Sequence, residues 1–178
     1  MSTAIELASR MNSLLELLQE QLRDLYDAEI QYRSKLPDMV SRATDPVLAD
    51  ALADISNSTS ATVEAIEDAC SEMDVVPTGV TCEAMRGLIR EASETVRERG
   101  DTATMDATLI ANAQRIAHYE IAGFGTTAEF ARCLKLTRPA EILSNLTRTA
   151  KEHDRTLSKI ANGGWFKSGI NHEAAASA

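Results

Sequence analysis

Three ionisable side chains occupy positions where the helical pattern of this 178-residue chain calls for apolar ones: Glu29, Glu120 and His153. Their neighbours three or four positions away on the same helical stripes are Leu25 and Tyr32, Ile116 and Phe124, and Ala150 and Leu157. A buried carboxylate is costly unless it protonates, pairs or binds a metal ion. Two carboxylates and an imidazole inside a helical bundle are the donors of a carboxylate metal site. We therefore predict Glu29, Glu120 and His153 as metal ligands.

The same residues also allow a site without metal. Buried glutamate and histidine side chains can form a hydrogen-bonded polar cluster, for which Tyr26, Tyr32 or Tyr119 would be partners. A single histidine on an apolar stripe is also often a satisfied core residue. The sequence leaves both interpretations open, and it names no catalytic residue.

The number of donors limits what such a site could hold. A full two-metal centre in a bundle takes one Glu from each of two helices and a Glu-x-x-His from each of the other two. The fourth helix carries His153 but has Ala150 where the glutamate would stand, and the second helix has Ser58 and Ala61 at the comparable positions. The pattern thus predicts at most one ion per chain and leaves open that none binds.

The elements that must position these residues are long helices. Apolar residues recur at intervals of three and four over about 2–44, 46–76, 82–99, 102–134 and 138–162, the third segment being shorter than the rest. Pro37 predicts a kink or break in the first helix, and Asp45-Pro46 opens the second. Gly123 and Gly125 inside a helix indicate close helix–helix approach, within the bundle or across a dimer.

This order predicts an all-α, ferritin-like four-helix bundle over residues 1–164, with a short accessory helix in the crossover. A bundle of other connectivity is the alternative. We expect residues 165–178 to be a partly disordered C-terminal tail in which Trp165 and Phe166 are candidates to dock on the bundle.

Composition narrows the function classes. The net charge of −9 and the lack of a basic cluster argue against nucleic-acid binding. No apolar run approaches the roughly 20 residues that span a bilayer, and the first residues lack a signal-peptide pattern, so we expect a cytoplasmic protein without membrane contact. Three widely spaced cysteines form no CxxC pair, which fits free thiols in a reducing compartment.

Three stretches carry a family resemblance: Leu22–Gln31, Cys82–Leu88 and Ala113–Thr126. They resemble the YciE/YciF family of bacterial ferritin-like stress proteins over roughly residues 14–162. The resemblance implies a rubrerythrin-like four-helix bundle, a homodimer, an association with stress responses and a core site for iron or manganese. It also places Glu29 and Glu120 at ligand positions of the first and third long helices.

The chain departs from this family on the other two long helices. Where the family's second helix typically reads His-x-x-Glu-Thr, this chain has Ile55-Ser-Asn-Ser58-Thr59, and the acidic pair of the fourth helix is Thr149-Ala150. The leading hypothesis is therefore a stress-associated protein with a degenerate carboxylate metal site, either non-enzymatic or weakly metal-binding. The alternatives are a di-metal oxidoreductase handling peroxide or iron, of the rubrerythrin or manganese-catalase kind, and a structural or interaction module.

Overall fold

The computed structural model describes residues 11–95, 100–164 and 167–176. In these segments the helices are α1 Leu14–Arg42, α2 Pro46–Ser71, α3 Glu83–Thr95, α4 Thr102–Cys133, α5 Thr137–Asn162 and α6 Ile170–Ala176. Two short strands, β1 Gly163–Gly164 and β2 Lys167–Ser168, pair antiparallel. The predicted all-α class is confirmed. None of the described helices has the length and apolar character needed to cross a membrane.

Helix α1 starts later than predicted. Ser13 caps it: its Oγ accepts from the Glu16 main-chain N–H at 3.1 Å, and the Glu16 carboxylate accepts from the Ser13 N–H at 3.1 Å. This capping box makes Ser13 the N-cap, so the helix begins at Leu14. Residues 11–13 are not helical, so the prediction of a helix running on from Ser2 was wrong there, and residues 1–10 lie outside the described part.

Pro37 does not end α1, which continues to Arg42. An interior proline costs about 3 kcal/mol, because it removes a main-chain hydrogen bond and crowds the preceding turn. Leu36 and Met39 on either side of it are fully buried in the core. We attribute the continuity of the helix to this packing, since tertiary contacts supply most of the stability of helices in proteins.

A buried aspartate ties the turn between α1 and α2 to α4. Asp45 caps α2 as predicted, accepting from the main-chain N–H of Val47 and Leu48 at 2.9 Å. Asp106 of α4 in turn accepts from the Thr44 N–H at 2.8 Å, the Thr44 hydroxyl at 2.7 Å and the Asp45 N–H at 2.8 Å. The Asp106 carboxylate, itself buried, thereby accepts all three of these hydrogen bonds from the turn.

The four long helices form a ring in the order α1, α2, α5, α4, with α3 lying on α1 and α4 and α6 on α4 and α5. Their buried side chains divide into two clusters along the bundle axis. One contains Leu36 of α1 and Leu109 of α4, and the other contains Leu22 of α1 and Phe124 of α4. Neighbouring helices α1 and α4 are therefore antiparallel, and α3 lies in the crossover as predicted.

Gly123 allows α1 and α4 to approach closely. A Cβ atom at this position would lie 2.5 Å from Cδ2 of Leu25, which is buried. At Gly125 a Cβ would meet only the Thr147 methyl group, at the ordinary distance of 3.7 Å. Close packing at Gly123 thus occurs inside the bundle.

The chain after α5 folds back onto the bundle. A Cβ at Gly169 would lie 2.3 Å from main-chain atoms of Asn162 and Gly163, so only glycine fits where the returning chain crosses the end of α5. Ile170 then enters the first core cluster. No pattern in the sequence was interpreted as this hairpin or as α6. The boundary at residue 164 and the disorder of the tail stay predictions, and Trp165 and Phe166 lie outside the described residues.

Candidate functional site

The structure brings Glu29 of α1 and Glu120 of α4 together between the two core clusters. Their exposed fractions are 1% and 6%, and their carboxyl groups interact through a hydrogen bond. Among the described residues, Glu29 Oε1 has no hydrogen-bond partner. The helical period predicted that both side chains face inward, since each residue continues an inward-facing stripe near the middle of a long helix.

Burial favours the protonated form of this pair. Loss of solvent is the main cause that raises the pKa of Glu29 well above its ordinary value, and the neighbouring Glu120 charge and the hydrogen bond add to the rise. Burial also raises the pKa of Glu120 to about 7, against the opposing effect of its hydrogen bond with Glu29. A protonated Glu29 donating to the Glu120 carboxylate accounts for both directions.

The pair borders a small cavity of about 10 Å³, which is roughly the space of a single water molecule or ion. The opposite side of the cavity is lined by the following residues of α2 and α5: Ile55, Ser58, Thr59, Thr62, Leu146, Thr149, Ala150 and His153. These residues carry hydroxyl, apolar and imidazole groups and no carboxylate. All the acidic character of the cavity therefore comes from α1 and α4.

His153 reaches the same cavity without joining the carboxyl pair in a ligand cluster. Its Nε2 lies 3.4 Å from the Ser58 hydroxyl oxygen. Burial lowers the pKa of the His153 imidazole, while the charges of Glu152 and Asp54 act in the opposite direction. A lowered pKa keeps the ring neutral at neutral pH, so it can exchange a hydrogen bond with Ser58 in either tautomer.

The donor set does not fit a two-metal centre. Within the described segments, no group of three or more His, Cys, Asp and Glu side chains could hold a metal ion. A single cation would be held by the carboxylates of Glu29 and Glu120. Glu29 Oε1, which has no hydrogen-bond partner among the described residues, can serve as a metal ligand. The three-residue metal site with His153 stays a prediction.

Three hydroxyl groups of α2, from Ser58, Thr59 and Thr62, line the cavity but were not predicted as part of the site. Thr59 donates to the Ile55 carbonyl at 2.8 Å, Ser58 donates to the same carbonyl at 2.8 Å, and Thr62 donates to the Ser58 carbonyl at 3.3 Å. Serine and threonine can hide their polarity in this way inside a helix. The signal was present, because Thr59 and Thr62 continue the inward stripe of Ile55.

The tyrosines divide differently from the expectation. Tyr26 donates to Glu67 Oε1 at 2.8 Å and Tyr119 donates to Asp24 Oδ2 at 2.5 Å, so the hydroxyl groups of both bond other carboxylates. Tyr32 is 2% exposed, and burial raises its pKa well above the ordinary value, with the charges of the two glutamates contributing. Of the three, Tyr32 is thus the one whose electrostatic surroundings are set by the pair.

Comparison with known proteins assigns the chain to a family. A family model described as a domain of unknown function (DUF892) matches residues 13–175. This chain belongs to the DUF892 family. The protein YciF of Escherichia coli (strain K12) is 31% identical over 152 residues, covering 85% of this chain and 92% of YciF. The resemblance to YciE/YciF proteins is confirmed.

Two solved structures have the same fold. The structure described as the E. coli stress protein YciF matches with a TM-score of 0.81 at 29% identity, covering 84% of this chain and 94% of that one. The structure described as YcfI, a putative structural protein from Rhodopseudomonas palustris, matches with a TM-score of 0.83 at 33% identity, covering 86% and 98%. The chain is therefore similar to a stress protein over most of its length.

Proposed function

We propose that this protein is a cytoplasmic, ferritin-like stress-associated protein whose core retains half of a carboxylate metal site. In this proposal it is non-enzymatic, or at most holds one weakly bound ion per chain. The observation that supports it is the one-sided cavity, which has Glu29 and Glu120 on one side and Ser58, Thr59 and Ala150 on the other.

Charge balance supports this interpretation. Two divalent ions bring four positive charges, and the two carboxylates of this cavity would neutralise only two of them. Burying the remaining charge in a core of low polarity would be strongly unfavourable. A single ion matches the two carboxylates, and oxygen ligands suit manganese while an added imidazole suits iron. When bound, such an ion would act as a Lewis acid and replace the proton that otherwise holds the pair together.

Metal content tests the proposal directly. Protein purified without chelator, and apoprotein incubated with Mn²⁺ or with Fe²⁺ without oxygen, would be desalted and analysed by mass spectrometry for metals. We expect no more than one ion per chain, and loss of that ion in Glu29→Ala. The matched control is Glu141→Ala, which removes an exposed carboxylate of α5 that does not line the cavity and should leave the metal content unchanged.

Two ions per chain together with consumption of hydrogen peroxide would refute the proposal and favour a di-metal oxidoreductase. Retention of a bound ion in Glu29→Ala would show that the ion binds elsewhere.

A structural or interaction module is the second candidate, because one similar structure is described as a putative structural protein. A protein without metal and without peroxide turnover fits this function as well.

We also propose a homodimer, on the basis of the family resemblance. Sedimentation velocity measures the oligomeric state. A dimer supports the proposed homodimer, whereas a strict monomer or a large shell contradicts it.

A further inference from the structure

Cys82, directly before α3, joins that helix to α1 and α4. Its main-chain N–H donates to Asp27 Oδ2 at 2.8 Å, and its carbonyl accepts from Gln31 Nε2 at 3.1 Å. Its Sγ accepts from the Met85 main-chain N–H at 3.3 Å and lies 3.0 Å from the Tyr119 hydroxyl oxygen. Cys82 is fully buried, so every polar group of the residue is bonded within the protein.

The directions of these hydrogen bonds follow from counting protons. The Tyr119 hydroxyl has a single hydrogen, which it donates to Asp24 Oδ2 at 2.5 Å, because a carboxylate only accepts. The Cys82 thiol must then donate its own hydrogen to the Tyr119 oxygen. The result is a continuous chain from the Met85 N–H through Cys82 and Tyr119 to Asp24, and bonds in such chains strengthen one another. Burial is the main cause that raises the pKa of the Cys82 thiol and favours its protonated form, while the hydrogen bond with Tyr119 acts in the opposite direction.

Apart from Cys82, helix α3 is held by Leu88 and Ile89, which are partly buried against the core, and by a hydrogen bond that Asn112 Nδ2 of α4 donates to Thr95 Oγ1 at 2.9 Å. It has 13 residues, which is at the limit of about 12–15 residues below which isolated helices are marginal. Over Glu83–Thr95, Met85 and Ala92 are its only buried residues. The four long helices, in contrast, are each 26 to 32 residues long and carry at least eight buried residues. Elements with few buried contacts are the ones that open locally below the free energy of global unfolding.

We infer that α3 is a strap that opens independently of the four-helix bundle, and that the hydrogen-bonded chain Cys82–Tyr119–Asp24 is its latch. Opening withdraws Met85 and Ala92 from the seam between α1 and α4 and exposes the Cys82 thiol. The labelling rate of that thiol therefore reports how often the strap opens.

Thiol labelling tests the latch in a protein whose other thiols are removed by Cys70→Ser and Cys133→Ser. In this background we would compare the rate at which Cys82 reacts with a disulfide reagent before and after Tyr119→Phe, which removes the hydroxyl and keeps the ring. We expect labelling to become about tenfold faster, because the chain loses a hydrogen bond to a charged group. Hydrogen exchange should accelerate in residues 83–95 and stay unchanged in α2 and α5.

The matched control is Tyr26→Phe, which removes another tyrosine–carboxylate hydrogen bond, between α1 and α2. It should leave the labelling of Cys82 unchanged. If Tyr119→Phe does not fold, Asp24→Asn weakens the same chain at its other end. An unchanged labelling rate in the folded variant would overturn the latch. Faster exchange of α2 and α5 in parallel with α3 would overturn the strap, since Cys82 would then be exposed only by global unfolding.

Discussion

The glutamate pair predicts a specific pH dependence of stability, and Glu120→Gln should remove the part of it that Glu120 contributes. The pKa of Glu120 is raised in the folded protein, from 4.5 to about 7. A group with a raised folded pKa contributes stability below its unfolded pKa, and this contribution is lost as the pH rises through the folded value. For Glu120 this rise in pKa corresponds to a contribution of about 3 kcal/mol to the free energy of unfolding. About 2–3 kcal/mol of that contribution should be lost between roughly pH 5 and 8.

Urea unfolding followed by circular dichroism would measure this loss, with EDTA present so that no metal competes for the pair. The free energy of unfolding of the unmodified protein should fall by about 2–3 kcal/mol more than that of Glu120→Gln over this pH range. The difference between the proteins matters, because general repulsion in a chain of net charge −9 also weakens both at high pH. Glutamine preserves the size of the side chain, and its carbonyl can still accept a hydrogen bond from protonated Glu29.

Glu64→Gln is the control, since it removes one negative charge from an exposed position of α2. It should show the same pH dependence as the unmodified protein. Parallel curves for the unmodified protein and Glu120→Gln would refute the reasoning, because Glu120 would then titrate alike in the folded and unfolded chains.

Two further predictions concern packing and turn stability, both measured by urea unfolding at neutral pH. Gly123→Ala should destabilise the protein by about 1 kcal/mol, because a clash with Leu25 costs about 1–3 kcal/mol and the better helix propensity of alanine returns about 1 kcal/mol. The control Gly125→Ala has space for the added methyl group and should be neutral or stabilising. Equal effects at both sites would contradict the close packing at Gly123. Asp106→Asn should cost about 2–3 kcal/mol, because an amide nitrogen would face main-chain donors. The control is Asp101→Asn at the exposed N-cap of α4, which should cost almost nothing because asparagine caps a helix equally well. An equal loss of stability in Asp106→Asn and Asp101→Asn would show that the Asp106 carboxylate contributes no more than an ordinary helix cap.

Local signals in the sequence determined most of the helices. Asp45-Pro46 and Asp101 mark helix starts because a cap depends only on residues within one turn. Ser13 and Glu16 likewise mark a helix start, as a capping box. The prediction of a longer first helix did not take this signal into account. The inward positions of Glu29 and Glu120 also followed from the sequence, since the helical period of 3.6 residues assigns each residue a face.

The tertiary structure decided what those inward residues meet. Which side chains of two helices touch depends on their relative rotation and axial offset, and one residue changes these by about 100° and 1.5 Å. That geometry joins Glu29 to Glu120 and leaves His153 beside Ser58, although all three occupy equivalent positions on their stripes. It also binds the thiol of Cys82 to a tyrosine 37 residues away. Such partners lie far apart in the chain, so no local pattern specifies them.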